Sequence, residues 1–537
     1  MTAVAVFPLD VPARLLGFEQ EHLEIYGLSM MNRLSRPCVY LLIFGCELGW
    51  LVPFADAGRP TVQRYEPFDV DPGWKGVNNR VRDPDPPMVR QNFGWSQSDH
   101  ASGGTGEIGG VVWRSVRPAY YAKVLPELSI NDHLECSGSV ALMHFTAADQ
   151  YHTGSAIWVG FFNAAKQGWR PLNHLGFRLL GHRDYQFADY KSVLPGALVE
   201  LHCGTSAYSS MGQFIKHSGS TRAVLMKKMV QDEYVRVPAD GRRHAWKLEL
   251  RPKRNDTPPE IFFQWDDCPP TVLKVGARTL KSGAFFNRFG IFNEPLPGFS
   301  MTAWFDEITI NGTLHDFSTD PGWEAKGNRD AFVDHVQYGT NDFGYSQTHH
   351  AGGQRSGELG GRLWEVGMHQ THIRAHCGDS VGRLSLDERL VAQGKIAIPQ
   401  FGTDSGIFIG WFDAAEQGSP PRNFAGVLLN TLSSTGRFIA PQVVGSNGRH
   451  AFGDVQVLFT PDGRVYDWTL DYDPLGAQGR GTLRLSLGDQ VQMIELPDGM
   501  RQEGAIMNRF GMFNMQDNNG KFCEVYLDDL EYTVERK

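Results

Sequence analysis

Cysteine is scarce, with seven residues in a chain of 537, and no two stand in a CxxC spacing. A cysteine-based zinc site therefore has no support. No heptad run, long helical period or low-complexity tract occurs, so neither a coiled coil nor a helical bundle is expected. Neither sign of charge dominates: 51 Lys and Arg face 60 Asp and Glu, a net charge of −9. Nucleic-acid binding asks for a basic face, and this balance argues against it. Beyond residue 57 no run is apolar enough to span a bilayer, and no transmembrane segment is expected.

The one long apolar stretch lies near the start. Residues 31–57 read "MNRLSRPCVYLLIFGCELGWLVPFADA", with Arg33 and Arg36 ahead of it and Ala55-Asp56-Ala57 behind. Basic start, apolar middle and small-residue end make a secretory signal peptide, cleaved near Ala57. The protein is expected to be secreted, extracellular or periplasmic. "IFGC" ending at Cys46 offers lipoprotein anchoring as a minor alternative.

What the chain has in quantity is glycine, proline and aromatics: 60 Gly, 30 Pro and 12% Phe, Trp and Tyr. That mixture favours short strands joined by turns. "SAIWVGFF", "VYDWTLDY", "TLRLSLG", "VQMIEL" and "AWFDEITI" are such runs, with turn residues between them. A chain this long is expected to hold two or more cores.

The strands fall into two copies of one unit. "FDVDPGWKGVNNR" from Phe68 matches "FSTDPGWEAKGNR" from Phe317, at an offset of 249. "FGWSQSDHASGGTGEIGG" from Phe93 matches "FGYSQTHHAGGQRSGELGG" from Phe343, and "IWVGFFNAAKQGWRPLNHLGF" from Ile157 matches "IFIGWFDAAEQGSPPRNFAGV" from Ile407, both at 250. "NRFGIFN" from Asn287 matches "NRFGMFN" from Asn508 at 221, so copy one holds about 29 extra residues between Leu180 and Trp246. A repeat of this length means tandem domains, not a solenoid. The expectation is an all-β chain of two tandem antiparallel sandwiches: residues 1–57 an extension and signal, 58–312 the first sandwich, 313–537 the second. Cys136, Cys203, Cys268, Cys377 and Cys523 do not recur between copies, so no shared disulfide framework is expected.

"SGIFIGWF" with its polar loop, "HAWKLEL", "VYDWTLDYDP", "NRFGIFN" and "FDEITING" together resemble the concanavalin A-like lectin/glucanase superfamily, over roughly residues 65–537. The resemblance implies a jelly-roll sandwich and a polysaccharide or oligosaccharide partner. It leaves open cleavage, by a glycoside hydrolase or a polysaccharide lyase, and non-catalytic binding or adhesion. No E-x-D-x-x-E glucanase motif is present.

Five sets of residues bear on that choice. His100 and Glu107, repeated as His350 and Glu358, suit a general base and a general acid, or bonding to backbone in a tight loop. Tyr121 and Arg178 suit proton abstraction beside a uronate and neutralisation of its carboxylate, or strand packing. Trp169, Arg170, Asn173, Arg422 and Asn423, on the loops after "GFF" and "GWF", suit sugar stacking and hydroxyl bonding, or an ordinary connection. His369, His372 and His376 have the look of metal ligands, yet two of them share a strand face and the third opposes them. We read them as solvated strand histidines, with no metal site. Asp306 and Asp528 suit backbone bonding first and a structural Ca²⁺ second. No other cofactor is expected.

Overall fold

The computed structural model describes residues 59–81, 85–147, 154–166, 171–181, 196–206, 209–219, 234–252, 258–365, 374–402, 405–432, 436–453, 457–516 and 522–537. All of these lie within one unit, Ala57–Lys537, so the expected signal segment falls outside them. The β-branched and aromatic runs become strands paired antiparallel, in four sheets of eight strands.

Two sandwiches result, as expected. One sheet of the first runs, in space, Thr271–Lys274, Glu260–Trp265, Arg243–Arg251, Leu134–Phe145, Ser300–Ile310, Glu107–Trp113, Asn92–Ser96. Its partner runs Ser209–Phe214, Ala197–Gly204, His174–Leu180, Ala156–Phe162, Phe285–Asn293, Tyr120–Ser129, Glu324–Lys326. The second sandwich repeats this order. Its sheets are Asp342–Ser346, Glu358–Trp364, Phe522–Glu535, Leu390–Phe401, Val465–Asp473, Thr482–Leu487, Gln490–Glu495, and Lys75–Val77, His376–Ser385, Ile506–Asn514, Ser405–Phe412, Phe424–Leu432, Gly436–Val444, His450–Phe452.

Side chains alternate across a strand, and "SAIWVGFF" uses both faces. Ile157, Val159 and Phe161 join the core between the sheets. Trp158 and Phe162 point the other way, into an outer cluster with Tyr120, Ala122 and Phe292. In the second sandwich Ile407, Ile409 and Trp411 are core, while Phe408 and Phe412 meet Phe424, Leu428, Val444 and Phe513 outside. A strand buried on both faces reads as one apolar run, which is why these segments do not alternate in sequence. The outer clusters give each of these two sheets an aromatic floor, and on that floor the candidate site sits.

The two repeats do not close where the sequence places their boundary. Beyond Gly312, Thr313–His315 folds back on Ser300–Ile310 and Glu324–Lys326 adds an edge beside Tyr120–Ser129, both in the first sandwich. The matching block near the start of the chain goes to the second. Thr61–Glu66 pairs with Phe522–Glu535, and Lys75–Val77 pairs with His376–Ser385. Residues 313–329 therefore complete the sandwich that precedes them, and residues 61–80 complete the one at the far end of the chain. Aromatic packing fixes both arms: Trp74 against Phe68 and Tyr532, Trp323 against Phe317 and Tyr121.

Candidate functional site

The glycine-rich loops with their His and Glu are the first place to look, and their chemistry is already spent. The Glu107 side chain is fully buried. Its Oε1 accepts from His100 N at 3.1 Å and contacts His100 Nδ1 at 2.7 Å, and its Oε2 accepts from Ala101 N at 2.7 Å. Glu358, equally buried, accepts from His350 N at 2.9 Å and Ala351 N at 2.7 Å. The imidazoles lie flat on aromatic rings, His100 on Trp304 and His350 on Tyr526. A buried carboxylate that accepts two backbone N–H groups is a loop clamp, and its solvation is replaced by those bonds. His100, Glu107, His350 and Glu358, the residues expected to suit a general base and a general acid, thus stand in these loop clamps. The glycines answer to the arms. At Gly106 and Gly357, with φ of +106° and +137°, an added Cβ would stand 1.9 Å from the carbonyl oxygens of Phe317 and Phe68. Only glycine lets the arm backbone pass this close.

Tyr121 and Arg178 also have internal partners. Tyr121 donates its hydroxyl to Asp320 Oδ1 at 3.0 Å, and burial raises its pKa well above the ordinary phenol value. Arg178 is buried between Glu200 and Glu294, donating to Glu294 Oε2 at 2.7 Å, while Arg114 meets the other Glu294 oxygen at 3.1 Å. Arg178, expected to suit neutralisation of a uronate carboxylate, is thus paired with two carboxylates of the protein itself. Asn173 is buried, and its Oδ1 accepts from Ser206 Oγ and Phe285 N. Asn423 accepts in the same way from Ile506 N. Both adopt positive φ, the left-handed turn that asparagine tolerates. Both tie neighbouring segments together. Arg422 is exposed. Trp169, Arg170, His369 and His372 lie outside the described residues. Asp306 and Asp528 bond backbone: Asp306 takes Glu307 N, and Asp528 takes Gly353 N and Asp529 N.

His376 is buried, not solvated, and it leads to the site. A cavity of about 170 Å³ opens on the outer face of the second sandwich, lined by Lys75, Val77, Arg374, His376, Ala414, Gln417 and Arg509. The aromatic floor lies under it. The Arg374 guanidinium stands 4.9 Å from the Phe513 ring centroid and 5.5 Å from that of Phe412, and His376 packs edge-on against Phe412. Arg374 donates from Nη1 to Asp413 O at 2.7 Å, and its backbone N–H donates to Gln417 Oε1. Its Nε and Nη2, Arg509 Nε and His376 Nδ1 are buried with no hydrogen-bond partner among the described residues. Burial lowers the Arg374 pKa to about 10, so it is still a cation at neutral pH. Burial, then the charges of Arg374, Arg509 and Lys75, lower His376 to about 4 and keep its ring neutral.

The same place in the first sandwich holds an acid of its own. The Asn293 side chain takes Ala119 N, and Asn514 takes Ala375 N, which sets Tyr120 opposite His376 and Pro118 opposite Arg374. Counting from Trp113 and Trp364 instead sets Tyr121 against His372, because it misses five residues that copy two inserts before this strand. In the first sandwich Glu324 stands where Lys75 stands in the second. It accepts from Tyr120 Oη and from Arg288 Nε, the counterpart of the unpartnered Arg509 Nε. Sequence reasoning did not find the site. Besides His376, its visible signal was the charge reversal between "DPGWK" and "DPGWE".

No family model matches the chain, and no curated protein does. Among solved structures, domains LG4-5 of the mouse laminin α1 chain are 12% identical, over 81% of this chain and 85% of theirs, with a TM-score of 0.23. An alginate lyase from Klebsiella pneumoniae is 10% identical over 36% of this chain and 84% of its own, at 0.25. Lectin I-B4 from Griffonia simplicifolia, in its metal-free form, is 14% identical over 36% and 91%, at 0.21. Scores this low carry no argument about activity, and the sandwich architecture rests on the strand order above.

Proposed function

We propose that this is an exported glycan-binding protein that seats saccharide on the outer face of its second sandwich. The observation that carries the reading is the cavity lined by Lys75, Arg374, His376, Gln417 and Arg509, in which buried polar groups of Arg374, His376 and Arg509 lack partners among the described residues. A sugar offers what such a wall lacks: hydroxyl oxygens for the donors. Unpaired buried donors cost on the order of 1–3 kcal/mol each, and a ligand that satisfies them recovers that cost. Binding is favoured over cleavage because the candidate acid, base and neutralising arginine are all engaged within the protein.

The test is a binding and cleavage panel of neutral and acidic polysaccharides, read by calorimetry and by product release, including absorbance for unsaturated uronates. Binding without cleavage is expected, weakened by Arg374→Met. Turnover of any member that is lost in Glu107→Gln or Glu358→Gln, with folding intact, would overturn the reading.

A further inference from the structure

The pocket has a sign. Three of its seven lining residues are Lys75, Arg374 and Arg509, a fourth is His376, and none is acidic. A neutral sugar would satisfy the donors but leave the cations facing one another. Resting on the glycan reading, we propose that this pocket is an oxyanion site, which holds one carboxylate or sulfate ester of an acidic glycan.

Two independent observations support it. The first is the buried guanidinium. Arg374 is 1% exposed, and its Nε and Nη2 are without partners among the described residues. Those two N–H groups form one edge of the planar fork that matches a carboxylate or sulfate in bidentate fashion. Its nearest acids, Asp413 and Glu416, attract the charge from alongside, but the one hydrogen bond from the guanidinium in that direction goes to the Asp413 carbonyl. The second is the first sandwich, where the protein supplies the anion itself. There the Glu324 carboxylate bonds both Tyr120 and Arg288. In the second sandwich the carboxylate is exchanged for Lys75 and the arginine is kept. The vacated position is the one in which a ligand's oxyanion would meet Arg509. A cavity of about 170 Å³ is several times the roughly 30 Å³ of one water, room enough for such a group. Lys75 and Val77 come from the arm at residues 61–80, so the site is incomplete without it.

The experiment uses the full chain and Lys75→Glu, which installs the first sandwich's acid at an exposed position and should not disturb folding. Arg509→Met is the second variant, and thermal unfolding checks both. Oligosaccharides of one length are titrated in three forms, neutral, uronate-containing and sulfated, with inorganic sulfate as a separate probe. One acidic form should bind best, and its identity tells carboxylate from sulfate. Lys75→Glu should weaken it by roughly tenfold or more, about 1.4 kcal/mol. Inorganic sulfate should compete with the acidic form only.

Neutral and acidic forms bound alike, with Lys75→Glu silent, would overturn the anion site and leave glycan binding standing. Inorganic sulfate bound in a Lys75-dependent way, with no saccharide bound, would keep the site and overturn the glycan reading.

Discussion

Glu107 and Glu358 hold their loops by the same pair of bonds in both repeats. Duplication keeps a residue that a loop needs as readily as one a reaction needs. Each carboxylate replaces water with two backbone N–H groups, and removing such a partner strands a buried donor. Glu107→Gln and Glu358→Gln should each lower stability by about 1–3 kcal/mol, seen as a shift of the urea midpoint, with binding on the outer face unchanged. Two other groups set a pH dependence. Burial lifts the Asp528 carboxyl to about 6, above its unfolded value, so native protein holds that proton more tightly. Its contribution is largest in acid and is lost as the pH rises through about 6. His376, lowered to about 4, acts in the opposite sense: the unfolded chain binds its proton first, and stability is lost as the pH falls from near 6.5 toward 4. The two oppose each other between about pH 4 and 6. Asp528→Asn should therefore leave a steeper rise of stability with pH across that window, measured as urea midpoints. An unchanged profile would count against the buried-carboxyl assignment.

At the scale of elements the arms matter most. Thr61–Glu66 contributes six paired residues to one sheet of the second sandwich, and Lys75–Val77 three to the other. Asn79 Nδ2 reaches the Phe343 carbonyl and Arg80 the Tyr345 carbonyl, just as Asn328 and Arg329 reach those of Phe93 and Trp95. Deleting residues 59–80 should destabilise the second sandwich and spare the first. Hydrogen exchange should report it, with protection falling first in Phe522–Glu535 and His376–Ser385 and little changed in Phe285–Asn293. Equal loss in both sandwiches would contradict the pairing. Gly357→Ala tests one point of the arm's track. The new Cβ would collide with the Phe68 carbonyl from a backbone conformation that suits glycine, and a loss of more than about 1 kcal/mol is expected.

Over the whole molecule, the two repeats differ in how they pair the charges on their outer faces. The first sandwich answers its own cations with Glu324, Glu200 and Glu294, and the second holds Arg374 and Arg509 on its outer face with the Nε of each unpartnered among the described residues. The sequence by itself determined the all-β class, the duplication and the order of strands. These follow from local propensity and from matched blocks along the chain, as in "SAIWVGFF" and "SGIFIGWF". It also showed that "NRFGxFN" recurs, though not that its last asparagine sets the register of Tyr120 and His376. Only the tertiary structure decided where each unit closes. An arm chooses its sheet by edge pairing and aromatic packing against strands hundreds of residues away, and no local pattern records that choice. It likewise decided which charged residues are free to act. Glu107 and Arg178 look as available in sequence as Arg374 does, but availability depends on whether a buried charge finds a partner from another strand, and that is settled only when the sheets assemble.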